Sequence, residues 1–246
     1  MARAALSCRI RRLQLTAVKH CGRDFAEVES RENSLNDRKA PQHTLHQDQK
    51  ARDFVSAHFL ESADVQKRTV ETSLKSILDC ADAIAACFRR SNKVLICGNG
   101  GSAADAQHMA AEFVNRLSSD FERPGLPAIA LTTDTSVLTS YANDYGYEGV
   151  FERQVGALGQ QGDILIGIST SGNSKNVIRA IAAADDRGLE TVGLIGEGGE
   201  MTSLVQHAVV IPSRDTQYVQ ETLLTVEHCL CMLVERALFP GAGSSK

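Results

Sequence analysis

Apolar positions along this chain follow two rhythms. From Gln49 to Arg90 they recur near a 3.6-residue period, through Phe54, Val55, Phe59, Leu60, Val65, Val70, Leu74, Ile77 and Leu78, which predicts helix. That segment is too long and too apolar for a solvated arm. A helical hairpin packed on the main domain or on another copy of the chain is the expected form. After Asn92 short apolar runs alternate with helical stretches. Strands are predicted at Lys93–Cys97, Ala128–Leu131, Ile164–Ile168, Thr191–Ile195 and Ala208–Ile211. Helices are predicted at Ala103–Leu117, Ser136–Asn143, Phe151–Leu158, Lys175–Arg187, Met201–Gln206 and Tyr218–Leu238. Strands buried on both sides and separated by crossover helices specify an α/β fold. It is a doubly wound five-stranded parallel sheet flanked by helices, with ligands at the carboxyl ends of the strands.

Residues 1–48 behave differently. The opening MARAALSCRIRRLQLTAVKH is basic, no acid occurs before Asp24, and RENSLNDRKAPQHTLHQDQK is almost wholly polar. This reads as a poorly ordered extension: an appended tail, a misplaced start or an Arg-rich transit peptide. The folded domain with its N-terminal helices then spans 49–240. A length of 246 residues suits one sizeable domain, and a net charge of −4 argues against nonspecific nucleic-acid binding. The seven cysteines are odd in number and contain no CxxC pair, so neither a disulfide framework nor a zinc knuckle is expected, and a reducing cytoplasm is the simplest compartment. No uninterrupted apolar stretch approaches the ~20 residues that span a bilayer.

Two loops carry candidate chemistry. CGNGGSAAD lacks both the later glycine of GxGxxG and the lysine of a triphosphate loop. What it offers is backbone N–H from Gly100, Gly101 and Ser102 at a helix start, suited to one anionic or hydroxylated group, or simply a tight strand-to-helix turn. The second loop, STSGNS over residues 169–174, brings four hydroxyls and several amides to a helix N-terminus. Hydrogen bonds and the helix end can hold a phosphate monoester there without a cationic side chain. On the helix after the first loop, His108 and Glu112 are i and i+4, a spacing that can present two ligands to one metal. Taken singly, His108 also fits a satisfied core histidine, Glu112 a surface carboxylate and His228 an apolar-face residue.

GNGGSAADAQHMAAEF, the pair Asn143-Asp144, ISTSGNS and the Gln220–His228 segment together resemble the phosphoheptose isomerases of the sugar-isomerase (SIS) domain superfamily, over roughly residues 50–239. The resemblance implies a flavodoxin-like SIS fold and conversion of sedoheptulose 7-phosphate to D-glycero-D-manno-heptose 7-phosphate, a precursor of bacterial surface polysaccharides. It implies that Ser169, Thr170, Ser171 and Ser174 bind the phosphate, and that Asn99, Gly100, Gly101, Ser102, Asn143, Asp144 and Gln220 line the sugar site. Glu112 would act as base, also touching substrate, and His228 as its acid partner. One zinc ion per subunit would be held by His108, Glu112, Gln220 and His228, in a cytoplasmic homotetramer with active sites at subunit boundaries.

Two tensions accompany this assignment. Eight residues of straight helix between Gln220 and His228 rise about 12 Å, so both reach one ion only by leaning inward, through an irregular helix start or with another subunit. Glu112, moreover, is asked to be both ligand and base. The chain departs from the family in carrying Leu223 where a second histidine is usual. Glu221 and Glu227 are expected to be surface or interface carboxylates. The main rival is a SIS module that binds sugar phosphates, or a replication initiator, without catalysis; a second is an enzyme of aminosugar phosphates. The joint presence of His108, Glu112, Gln220 and His228 favours an enzyme over the first rival, and the second predicts a different base and a longer chain.

Overall fold

The computed structural model describes residues 44–119 and 121–241, so most of the extension expected over residues 1–48 lies outside the described residues. The chain divides into two units, 1–56 and 57–246. In the first, a 3-10 turn at Leu45–Gln47 precedes the start of a helix. Local bonds hold it: Gln49 Nε2 donates to Asp53 Oδ1 at 2.7 Å and Arg52 Nε to the His46 carbonyl at 2.9 Å.

That helix, α1 (Gln49–Arg89), is one continuous rod of 41 residues and not the hairpin expected from its length. The reason is local. No glycine or proline occurs between Gln49 and Arg89, so nothing breaks the hydrogen-bond ladder. Its buried stripe runs through Val65, Thr69, Ser73, Ile77, Cys80, Ile84 and Phe88 at steps of three and four.

The second unit alternates β1 (Val94–Cys97), α2 (Gly101–Val114), β2 (Ala128–Ala130), α3 (Thr135–Tyr145), α4 (Val150–Leu158), β3 (Ile164–Ser169), α5 (Lys175–Asp186), β4 (Glu190–Gly196), β5 (His207–Ile211) and α6 (Thr216–Leu238). All strand pairs are parallel and their order is 2-1-3-4-5, the doubly wound arrangement the sequence predicts. Strand residues alternate between the faces. Val94, Ile96, Ile164, Ile166, Val192, Leu194 and Val209 pack under α1, α2 and α6. Leu95, Cys97, Leu165 and Ile195 pack under α4 and α5. The helix predicted at Met201–Gln206 is only a 3-10 turn, Glu200–Ser203. Gln206 instead bridges to β4, its side-chain oxygen accepting from Thr191 N at 3.0 Å while its own N–H donates to Thr191 Oγ1 at 3.1 Å. Other element ends move by one to three residues.

At the amino end of the central strands, Asp163 ties β1 to β3. Its carboxylate, 1% exposed, accepts from Lys93 N at 3.0 Å, Lys93 Nζ at 2.5 Å, Gln160 N at 2.8 Å and Asn92 Nδ2 at 3.2 Å. Burial pushes the carboxyl up, but these donors together hold it below the usual carboxylate range. A depressed folded value stabilises the fold above the unfolded pKa, near 4, and that contribution is lost as pH falls through the folded value. Asp163→Ala, which strands the Lys93 ammonium, is expected to cost about 3 kcal/mol at pH 7 in denaturant unfolding. Against Asp163→Asn, the wild-type advantage should shrink below about pH 4; a pH-independent difference would contradict this account.

Candidate functional site

Because β1 and β3 are neighbours while α2 and α5 leave them on opposite faces, the loops after both strands meet at one edge of the sheet. The first loop turns tightly into α2. A Cβ on Gly98 would lie 2.6 Å from the Ser102 carbonyl oxygen, and one on Gly101 would lie 2.8 Å from Gln220 Oε1. Glycine at 101 thus lets α6 close on the start of α2. There Ser102 Oγ donates to Gln220 Oε1 at 3.3 Å, and Gln220 Nε2 donates to the Asp105 carboxylate. Burial pushes the Asp105 carboxyl above its ordinary value, against the opposing pull of Gln220 and His108.

The second loop folds its hydroxyls onto one another. Ser169 Oγ lies 3.0 Å from Ser174 Oγ and 3.5 Å from Ser171 Oγ. It also accepts from Gly172 N at 3.1 Å, while Ser171 Oγ accepts from Asn173 N at 3.2 Å. Ser174 occupies the N-cap of α5 without capping it, its hydroxyl being turned to Ser169. Thr170 is half-buried, and its carbonyl packs on Gly196. Gly172 has φ +64°, and a Cβ there would meet the Gly199 Cα at 2.6 Å. Asn173 Oδ1 accepts from Glu200 N at 3.0 Å, so the loop rests on the following 3-10 turn.

The third element is built on α2 and α6, which run in the same direction. His108 Nε2 is 2.8 Å from His228 Nε2, their rings edge to face with centroids 5.1 Å apart, and Glu112 Oε1 is 3.6 Å from His108 Nε2. Glu112 Oε2 is buried and has no hydrogen-bond partner. Gln220 does not join this group; it stands at the first loop, with Ser102 and Asp105. Asn143 and Asp144 lie exposed on the last turn of α3, where Asn143 Nδ2 donates to Asp144 Oδ1 at 2.9 Å. Asp144 lines a pocket with Tyr141, Tyr145 and Arg153 and does not share the loops' crevice.

Two supports escape a sequence reading. Arg123, fully enclosed, donates to the carbonyls of Glu112 at 2.7 Å and Phe113 at 2.6 Å, satisfying the open end of α2. Glu235 anchors it through bonds from Nε at 2.9 Å and Nη2 at 2.7 Å. Asn176 pairs with Asn99 across the strand junction. Neither contact has a local sequence signal, since each joins segments far apart in the chain.

Glu221 is exposed as expected, held below the usual carboxylate range by Ser62 Oγ at 2.5 Å and His58 Nε2 at 2.8 Å. Glu227 corrects the expectation. It is 0% exposed, neither carboxyl oxygen has a partner, and burial, reinforced by Asp105, pushes its pKa up to about 9. Position 227 follows 223 and precedes 230 on the core-facing stripe of α6, and that stripe outweighs polarity. Leu223, at the position of the family's usual histidine, is core.

Among the described residues no three His, Cys, Asp or Glu side chains stand ready as a metal site. The donor set of His108, His228 and Glu112 nevertheless fits zinc in kind: two imidazole nitrogens facing each other, with Glu112 Oε1 3.6 Å from one of them. Nitrogens on tetrahedral zinc stand about 3.3 Å apart, so the imidazoles would part by roughly half an ångström.

The SIS domain family profile matches residues 57–196. A phosphoheptose isomerase of Roseiflexus sp. strain RS-1 is 55% identical over 179 residues, 72% of this chain and 90% of that protein. Another, from Nitratidesulfovibrio vulgaris Miyazaki F, is 50% identical over 190 residues, 77% and 90% of the two chains. The solved phosphoheptose isomerase of Neisseria gonorrhoeae superposes with a TM-score of 0.70 at 40% identity, covering 74% of this chain and 97% of that one.

A carboxyl with a folded pKa far above its unfolded value favours the fold only while protonated, so stability falls as pH rises from about 4 toward 9. Glu227→Gln should remove that slope. In chelator-treated protein, its melting temperature relative to wild type should be at least about 3 °C more favourable at pH 8 than at pH 5. An equal offset at both pH values would show Glu227 ionised in the fold.

Proposed function

This chain belongs to the SIS domain family, among its phosphoheptose isomerases, and from that premise we propose that it converts sedoheptulose 7-phosphate to D-glycero-D-manno-heptose 7-phosphate. What supports this reading is a hydroxyl-lined helix start and a glycine loop at one end of the sheet, together with the His108–Glu112–His228 group formed between α2 and α6. Ser169, Thr170, Ser171 and Ser174 hold the phosphate. The dianion is met by hydroxyls and by the N-terminal amides of α5, whose partial positive charge favours it. Asn99, Gly100, Gly101, Ser102 and Gln220 face the sugar, with Asn143 and Asp144 closing it in the assembled protein.

Isomerisation needs a proton taken from C1 of the ketose, an enediol, and a proton returned to C2 while the C1 hydroxyl becomes the aldehyde. Glu112 Oε2 is suited to the base: it is buried, unpartnered and free to accept the carbon-bound proton. Oε1 faces His108, which supports one carboxylate oxygen serving the metal and the other the base. His228 is its acid partner, moving protons at the substrate oxygens. One zinc ion per subunit, held by His108, Glu112 and His228, would supply Lewis-acid polarisation of the carbonyl. Gln220 reaches the same ion only by leaving Ser102 and Asp105.

A homotetramer accompanies this proposal. Phe59, Leu60, Val70, Leu74 and Leu78 of α1 are 45–73% exposed, an apolar stripe that a second copy would cover. No helix among the described residues is long and apolar enough to cross a membrane, and we place the enzyme in the cytoplasm, feeding heptose to surface polysaccharides.

The test is turnover of sedoheptulose 7-phosphate by purified protein, with chelator and with added zinc. Glu112→Gln and His228→Ala should each lower kcat by at least about 100-fold with an unchanged melting profile. Undiminished turnover in Glu112→Gln would remove its assigned role; binding without turnover in the wild type would favour the non-catalytic sugar-phosphate module.

A further inference from the structure

Asn176 belongs to neither loop motif. It lies on the first turn of α5, two positions beyond Ser174, and its side chain is 5% exposed. Its carboxamide and that of Asn99 close into a reciprocal pair. Asn99 Nδ2 donates to Asn176 Oδ1 at 2.9 Å, and Asn176 Nδ2 donates to Asn99 Oδ1 at 2.8 Å. A carboxamide carries two N–H donors and two acceptor lone pairs, so the pair occupies one of each on Asn99 and leaves one of each. Reciprocity also fixes orientation: Asn99 cannot turn end over end unless Asn176 turns with it, and Asn176 is enclosed. Both residues line a crevice of about 410 Å³ together with Ser174, Lys175, Tyr147 and Glu148. The paired amides therefore border open space between the two loops.

We infer that Asn176 is a positioning residue for the sugar: it orients Asn99 before substrate arrives and ties that orientation to the phosphate loop. The inference rests on the assignment of the two loops to sugar and phosphate. Free to rotate, Asn99 would have to be ordered by each incoming substrate, and ordering a side chain at binding weakens affinity. Held by Asn176, it presents its remaining N–H and lone pair already set. The tie works in both directions, because a phosphate seated on Ser169–Ser174 also steadies the first turn of α5 from which Asn176 projects. Sugar contacts and phosphate contacts then strengthen one another.

The test compares two ligands on full-length protein by calorimetry, inorganic phosphate and sedoheptulose 7-phosphate, alongside steady-state kinetics. Asn176→Ala should weaken the ketose phosphate about tenfold, the size expected for one lost orienting hydrogen bond. Affinity for inorganic phosphate should change less than about twofold, with KM rising and kcat nearly kept. Asn176→Ser adds no charge beside the phosphate loop and cannot bridge to both polar atoms of Asn99, so its loss should be similar; it carries the decision if the alanine variant fails to fold. Equal weakening of both ligands would show a role confined to the phosphate loop and overturn the inference, as would unchanged ketose phosphate affinity in both variants. A wild type that binds the ketose phosphate without converting it would sink the isomerase reading while leaving this comparison intact.

Discussion

The pairing of β1 with β3 is the constraint on which the rest depends. Its register sets Val94 beside Ile164 and Cys97 beside Gly167, so the two strands end within a residue or two of each other. Chain connectivity then sends one loop to a helix on one face of the sheet and the other loop to a helix on the opposite face. Two helix N-termini are delivered to one place without any residue having to bend toward it. Asp163 and Lys93 fasten the far end of the same strands, so the separation of the loops is fixed from below by a buried ion pair and above by the Asn99–Asn176 amides.

A second layer, α2 against α6, brings His108, Glu112 and His228 together. Here the smallest residues decide the geometry. Gly101 and the alanines of α2 allow α6 to approach, and the parallel course of the two helices sets Ser102 against Gln220 and, two turns on, His108 against His228. The same parallel course keeps Gln220 away from the histidines. Arg123 fixes the open carbonyl end of α2 directly beneath Glu112, which makes the position of that carboxylate a property of the core.

The sequence made the sheet, its order of elements and the two loops legible, because hydrophobic period and glycine placement act locally and repeat; the meeting of α2 with α6 was implied only by the family resemblance. It misled where a local signal was silent or overruled. The segment 49–90 suggests a hairpin because it is too long and too apolar for a solvated arm, yet with no Gly or Pro to break it the helix runs on for 41 residues. Glu227 was expected outside because it is charged, yet its place on the buried stripe of α6 decided otherwise. Asn176 and Arg123 were invisible because a polar residue whose partner lies far off in the chain leaves no pattern in its own neighbourhood.

The contact between Gly172 and Gly199 extends these arguments beyond the atoms that could touch a ligand. Backbone meets backbone there so closely that a Cβ on either residue would lie within 2.6 Å of the other's Cα. Gly199 therefore acts as the floor of the hydroxyl loop, and the thickness of that floor is one main chain. A methyl group added below would lift the serines above it, so the shape of the face we propose for the phosphate is inherited from a residue facing the other way.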